Sequence, residues 1–332
     1  MKRATLFALI LSLVFAVCGH AACAETPAAP QSPEELYQAG AEALDAEDYA
    51  KALEYYQAAA DQDYAPGWRA VGTMYFYGEG MEPDYEKAIE YWQRAVDLGD
   101  GPACFNLGLF YEMDLEAEPD IEKARAYYQQ GADRGSTDAI VALGKMAIDG
   151  VGEAQDCAKA LAYFQMAADK GDPVGQYDLG HMYYYGYGVE QSNEKALEYW
   201  QMAADQGLAD ALNEVGNMYE NGEVVAQDYG KALEYYQQAW DKGDPLALVG
   251  LGDLSRDGHG VEQDYAKALD YYQKAVDQGI AAALVRLGDL YRDGQGVEQS
   301  NDKAAEYYRQ ALELGYEDAQ ESLNALTAEE GK

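Results

Sequence analysis

A Lys-Ala pair begins at Lys51, Lys87, Lys123, Lys159, Lys195, Lys231, Lys267 and Lys303, and every step is 36 residues. A glycine keeps the same interval at Gly72, Gly108, Gly144, Gly180, Gly216, Gly252 and Gly288. No insertion or deletion interrupts the count. Such a period constrains the fold more than any composition can. Each unit is one supersecondary element too small to bury its own apolar face, so consecutive copies must stack.

Residues 173–207 show what the unit is. Tyr177, Leu179, Met182 and Tyr183 form one apolar run, and Ala196, Leu197, Trp200, Ala203 and Ala204 form a second. Both keep the i, i+3, i+4 spacing of an amphipathic helix. Gly186 and Gly188 between the runs permit a turn, and Gly207 stands where a helix ends in a left-handed residue. Asp172-Pro173 and Asp244-Pro245 read as the N-cap and first residue of an opening helix. Small residues at Gly180 and Ala203 let the two helices of a pair approach closely. The pattern predicts an all-α chain of helix-turn-helix repeats.

The repeated string is A-x-x-x-L-G-x-x-Y-x-x-G-x-G-V-x-x-D-x-x-K-A-x-x-Y-x-x-x-A-A-x-x-G, nearly complete at 173–207 and 281–315. It resembles the Sel1-like repeats, a branch of the tetratricopeptide superfamily, over about residues 65–315, which make seven repeats. The resemblance implies a right-handed α/α superhelical solenoid whose first helices line a concave groove and whose second helices form the outer wall. It also implies a protein-interaction scaffold. Residues 113–118, MDLEAE, lack both loop glycines, so a different turn is expected there. Exported cysteine-rich relatives carry a disulfide in each repeat. Cys104 and Cys157 fall at unrelated places in this pattern and are expected unpaired, which leaves stacking to supply the stability.

The flanks fit such an array. Lys2 and Arg3, the apolar stretch Ala4–Val17 and the small-residue site Ala22-Cys23-Ala24 read as a signal peptide over 1–24. Anchoring through Cys18 or Cys23 is not expected, because Val17 and His20 do not fit a lipidation site. A Pro- and Ala-rich lead-in over 25–33 is expected to be disordered. Residues 34–64 read as a tetratricopeptide-like N-terminal cap pair, and 316–332 as a capping helix and tail in which Ala319, Leu323 and Leu326 cover the last pair. The expected location is the periplasm or the outside of the cell. After the leader no stretch nears the roughly 18 apolar residues of a membrane span.

The formal net charge is −37. That charge repels phosphate backbones and excludes a nucleic-acid partner. It steers instead toward a basic or amphipathic protein or peptide. With 48% hydrophobic residues the chain has the material to fold with its acid outside.

Two strings, VEQSNEK around Ser192 and VEQSNDK around Ser300, carry the Ser-x-x-Lys spacing of penicillin-interacting enzymes. In register, however, both serines share a slot with Asp48, Asp84, Asp120, Asp156, Asp228 and Asp264. Aspartate replaces serine as an N-cap but not as a nucleophile, and no K-T-G or S-D-N element accompanies either site. All eight are read as N-caps. His181 and His259 are too far apart in sequence to suggest a zinc site or a catalytic triad, so no cofactor, metal or catalytic residue is expected. Tyrosine pairs such as Tyr235-Tyr236 recur in the second helices and are read as core, one member of each facing a neighbouring repeat. Specific function should lie where repeats differ. The first helices differ in an aromatic section, Phe76, Tyr77, His181, Tyr184 and Tyr185, and a polar section, Asp253, Arg256, Asp289 and Arg292. These form the candidate partner groove. The competing reading is an envelope-associated hydrolase or cell-wall binder of the β-lactamase-like, cysteine-rich repeat type.

Overall fold

The computed structural model describes residues 32–113 and 118–330. The signal peptide, nearly all of the lead-in and the middle of the glycine-free turn lie outside the described residues. The described chain holds seventeen helices and no strand. They run α1 (Pro33–Asp45), α2 (Tyr49–Ala60), α3 (Ala65–Tyr77), α4 (Tyr85–Asp97), α5 (Gly101–Glu112) and α6 (Ile121–Asp133). Next come α7 (Thr137–Asp149), α8 (Cys157–Asp169), α9 (Pro173–Tyr185), α10 (Asn193–Asp205), α11 (Ala209–Asn221) and α12 (Tyr229–Asp241). The last are α13 (Ala247–Asp257), α14 (Tyr265–Asp277), α15 (Ala281–Asp293), α16 (Asn301–Glu313) and α17 (Ala319–Glu330). The described residues cluster into two compact units, 32–175 with 187–189, and 176–186 with 190–330. Both are built of the same helix pairs.

Local signals set the helix ends. Ser32 caps α1 in a capping box, its Oγ accepting from the Glu35 N–H while Glu35 accepts from the Ser32 N–H. The helix thus reaches back into the last residues of the expected lead-in. Gly258, at φ 71°, closes α13 in the left-handed region that favours glycine. α5 ends differently: Met113 at φ −80°, ψ 141° leaves the helix by an extended residue, as the missing glycines suggest. One helix start differs from its sequence pattern. α13 begins at Ala247 rather than Pro245, because Asp244 Oδ1 accepts from the Leu246 N–H, two residues on, and tight turns at Pro245 and Leu246 precede the α-helix. In Asp172 the same oxygen accepts from Gly175, three residues on.

Packing follows one rule in every unit. The second aromatic of each second-helix pair lies on the glycine of the first helix, so Tyr56, Trp92, Tyr128, Phe164, Trp200, Tyr236, Tyr272 and Tyr308 are all buried. A Cβ at Gly216 would stand 2.7 Å from the Tyr236 ring, and one at Gly180 would overlap Trp200 Nε1. The glycine therefore makes room for a ring rather than for a bare helix contact. Where the first helix offers a tyrosine, the first aromatic of the pair stacks on it, as Tyr91 does on Tyr75 at 5.5 Å and Tyr235 on Tyr219 at 5.7 Å between centroids. Its hydroxyl then donates to a glutamine of the preceding repeat, Tyr127 to Gln93 at 2.9 Å and Tyr235 to Gln201 at 3.2 Å. At the C-terminal end α17 buries Ala319 and Leu326, with Leu323 packed against the same cluster. Cys104 is buried and Cys157 half-buried, and both are free thiols.

Candidate functional site

The serine-lysine strings resolve into caps. Ser192 Oγ accepts from the Lys195 N–H at 3.3 Å, and Ser300 Oγ from the Lys303 N–H at 3.3 Å. Asp48, Asp84, Asp120, Asp156, Asp228 and Asp264 cap their helices through the same lysine N–H. The lysine ammonium is engaged elsewhere. Lys195 Nζ lies 4.6 Å from the centroid of Tyr183 and Lys303 Nζ 4.8 Å from that of Tyr291, each capping the tyrosine stack between the two helices. Where the first helix offers Ala147 instead, Lys159 turns to Glu153 at 2.6 Å. Beside Ser192 the other polar neighbour is Glu194, whose Oε2 accepts from Oγ at 3.0 Å. The geometry places no base nitrogen on either serine oxygen.

The aromatic candidates stand on the buried rings. Phe76 is half-buried and packs on Trp92 at 5.3 Å and Tyr85 at 5.5 Å, while Tyr77 beside it is 65% exposed. A shallow, mainly apolar hollow opens there, lined by Thr73, Phe76, Tyr77, Asn106 and Phe110. In the other unit His181 meets Trp200 edge-on at 5.1 Å and stacks with Tyr185 at 5.9 Å. Burial holds the imidazole below its ordinary range, which keeps it neutral at physiological pH. Tyr184 packs on Trp200 at 5.3 Å and hydrogen-bonds Glu223, and Tyr185 is 55% exposed. Tyr77 and Tyr185 occupy the same slot of their repeats, the last residue of the first helix.

The polar candidates are engaged with the fold itself. Tyr272 donates its hydroxyl to Asp253 Oδ1 at 2.6 Å, and Arg256 Nη1 and Arg286 Nε reach the same oxygen at 2.9 and 3.0 Å. Arg256 also forks onto Asp257, which holds that carboxyl below the usual range. One repeat on, Tyr308 donates to Asp289 at 2.8 Å, Arg292 reaches Asp289 at 2.9 Å, and Arg292 forks onto Asp293. An acid at this slot answers the buried hydroxyl of the ring 19 positions on. The rule extends to Asn217, whose Oδ1 lies 2.7 Å from the Tyr236 hydroxyl, and to Thr73 under the indole N–H of Trp92 at 3.3 Å. An unpaired buried hydroxyl costs about 1–3 kcal/mol, so these side chains contribute to the core as well as to the surface.

A run of helix pairs, each burying an aromatic ring on the glycine of its partner, defines an all-α solenoid of tetratricopeptide-like repeats. Solenoids of this class bind other proteins. The Sel1 repeat model matches residues 35–64, 69–100, 101–136, 137–172, 173–208, 209–244, 245–280 and 281–316, and the chain belongs to the Sel1 repeat family. The first matched segment covers the pair expected as an N-terminal cap. The chain is similar to a Sel1 repeat protein from Oxalobacter formigenes, at 30% identity and a TM-score of 0.59, over 89% of this chain and 87% of that one. It is also similar to a protective antigen present in uropathogenic Escherichia coli strains, at 26% identity and a TM-score of 0.65. That match covers 89% of this chain but 64% of the antigen, so the chain spans less than two thirds of its length. No protein of curated function matches. Sel1 repeat proteins typically mediate protein-protein interaction. Among the described residues no helix is long and apolar enough to cross a membrane.

Sequence reasoning overlooked one group, the half-buried Tyr177 and Glu214 with the buried Asp244. A register comparison finds it. Arg69 precedes Asp100 by 31 residues and pairs with it, whereas the residue 31 positions before Asp244 is Asn213.

Proposed function

We propose that the chain is an exported, non-enzymatic scaffold that binds a protein or peptide through the faces of its first helices. One observation carries the reading: Tyr77 and Tyr185, at equivalent slots, stand exposed on buried aromatic clusters. Rigid aromatics seated on a packed base make strong contacts at little entropic cost. The charge of −37 favours a basic or amphipathic partner by steering its approach. The test is affinity capture from the source organism, with mass spectrometry of what is retained. A Tyr77→Ala, Tyr185→Ala chain is expected to fold normally and lose the partner, since neither ring is core. Retention at the wild-type level would count against the reading.

The export half rests on the basic, apolar and small-residue order of 1–24. N-terminal sequencing of protein recovered from the periplasm or medium is expected to begin near Glu25, and an intact Met1 in that fraction would contradict it.

The hydrolase reading has a specific source in the Ser-x-x-Lys strings, so it has its own test. No β-lactam turnover is expected from the wild type. A Ser192→Ala, Ser300→Ala chain should differ only by a loss of about 1 kcal/mol per cap in stability. Turnover that disappears in the double variant would reverse the assignment.

A further inference from the structure

The overlooked group lies where α9, α11 and the α12–α13 junction meet, all within residues 176–186 and 190–330. Asp244 is 4% exposed, and its Oδ1 accepts from the Leu246 N–H at 2.9 Å while Oδ2 has no hydrogen-bond partner. Around it stand carboxylates. Asp210 and Glu214 both act on Asp244 or feel its charge, and Glu214 carries a hydrogen bond from Asn217 at 3.3 Å. The phenol of Tyr177 feels Glu214, Asp210, Asp178 and Asp244 together, and burial with those charges pushes it far up. The leading charges acting on Tyr177, Glu214 and Asp244 are negative. Asp244 is buried, Glu214 half-buried and Asp210 exposed.

The same protein shows how such a carboxylate is satisfied. At the equivalent slot Asp100 has a side chain 6% exposed, and Arg69 Nε lies 3.1 Å from its Oδ1 and 3.3 Å from its Oδ2. Asp100 also caps α5 through the Ala103 N–H. A guanidinium thus fits over the carboxylate at this slot of the repeat. In the Asp244 repeat the arginine slot is Asn213, which brings no charge. The turn at the start of α13 engages Asp244 through Oδ1 and leaves Oδ2 without a partner.

We propose that Asp244, Glu214 and Asp210 form a receptor for one guanidinium group, an arginine side chain presented by the partner, with the Tyr177 ring as its wall. The proposal rests on the scaffold reading and deepens it by naming the residue recognised. A forked donor matches the paired oxygens of a carboxylate, and its positive charge offsets the repulsion among three acids. The arginine of a bound peptide would repeat, from outside, the contact that Arg69 makes from within.

The test titrates the full chain with acetyl-Gly-Arg-Gly-amide and with the same peptide carrying citrulline, which keeps the shape and loses the charge. The arginine peptide is expected to bind and the citrulline peptide not to. Asp244→Asn should weaken binding about tenfold or more, the range of a lost charge-assisted bond. Glu298→Gln makes the same charge change on an exposed loop residue and should leave binding unchanged. Asn213→Arg, which installs the Arg69 contact, should abolish peptide binding and raise Tm. Equal weakening by Asp244→Asn and Glu298→Gln would reduce the effect to general attraction by a polyanion and overturn the proposal. So would equal binding of citrulline, or no binding of arginine. A chain that captures a partner through Tyr77 and Tyr185 yet ignores the arginine peptide overturns this proposal alone.

Discussion

Trp200→Ala is expected to cost the chain about 3–5 kcal/mol, read as a fall in urea midpoint at unchanged m. The magnitude follows from what surrounds the ring. Trp200 is 1% exposed, covers Gly180, and donates its indole N–H to the Tyr177 carbonyl at 3.2 Å. Removing it leaves a hole whose floor is a glycine, which has no side chain to move in, so the site cannot collapse cheaply. Two candidate groove residues lose their base at the same time, because His181 and Tyr184 pack on the indole. Burial is what holds the His181 imidazole down. In the variant its pKa should move back up toward the ordinary range of a histidine, which an NMR titration of the ring protons would show. Gly180→Ala attacks the same contact from the other side and should cost about 1–3 kcal/mol by overpacking. The two changes touch the same atoms, so their costs should not add. A Trp200→Ala loss under about 1 kcal/mol, the size of a single cap, would mean that the ring is not what joins α9 to α10.

The period, the helix pairs, the cap slot and the loop glycines could be read from sequence because each rests on local chemistry. The second helix of each pair starts on a short side-chain oxygen, and Ser192 and Asp228 supply one equally well. What the lysine of the repeat does was not legible, since its partner, the tyrosine twelve residues earlier, is reached only once both helices are packed. The core role of the polar candidates was hidden for a related reason. Asp253 and Asp289 look like surface variation along the chain, yet each answers the hydroxyl of a ring in the second helix. The signal was present as a pairing between slots 19 apart: acid or amide where the ring is Tyr236, Tyr272 or Tyr308, and threonine or histidine where it is Trp92 or Trp200. Reading each slot down the repeats hides it, and reading two slots together reveals it. The late start of α13 was not legible at all, because Asp244-Pro245 and Asp172-Pro173 are the same dipeptide with different caps.

Asp244→Asn is expected to stabilise the folded chain by roughly 1–3 kcal/mol at pH 8 and to change little near pH 3. Burial pushes the Asp244 carboxyl up from 3.8 to about 6, and the neighbouring charge of Asp210 adds to it. The sign follows directly. Below the unfolded value the group is protonated in both states and contributes nothing. As pH rises toward 6 the unfolded chain gives up its proton freely while the folded chain resists. Above it the folded state carries a buried charge that the unfolded state does not, and stability is lost. Asparagine keeps the bond to the Leu246 N–H and removes that charge. The groups that act with Asp244 are Asp210 and Glu214 on α11 and Tyr177 on α9, and Glu214 is itself pushed up by burial. The variant therefore still loses some stability with rising pH, and the difference between the two curves isolates Asp244. A natural chain that tolerates such a penalty at neutral pH holds a site more stable when something cationic arrives, a common exchange of stability for binding. Melting temperatures of both chains between pH 3 and pH 8 check it. A difference curve flat across pH 4 to 7 would show that the carboxylate is solvated in the folded state, and the electrostatic case for an arginine at Asp244 would fall with it.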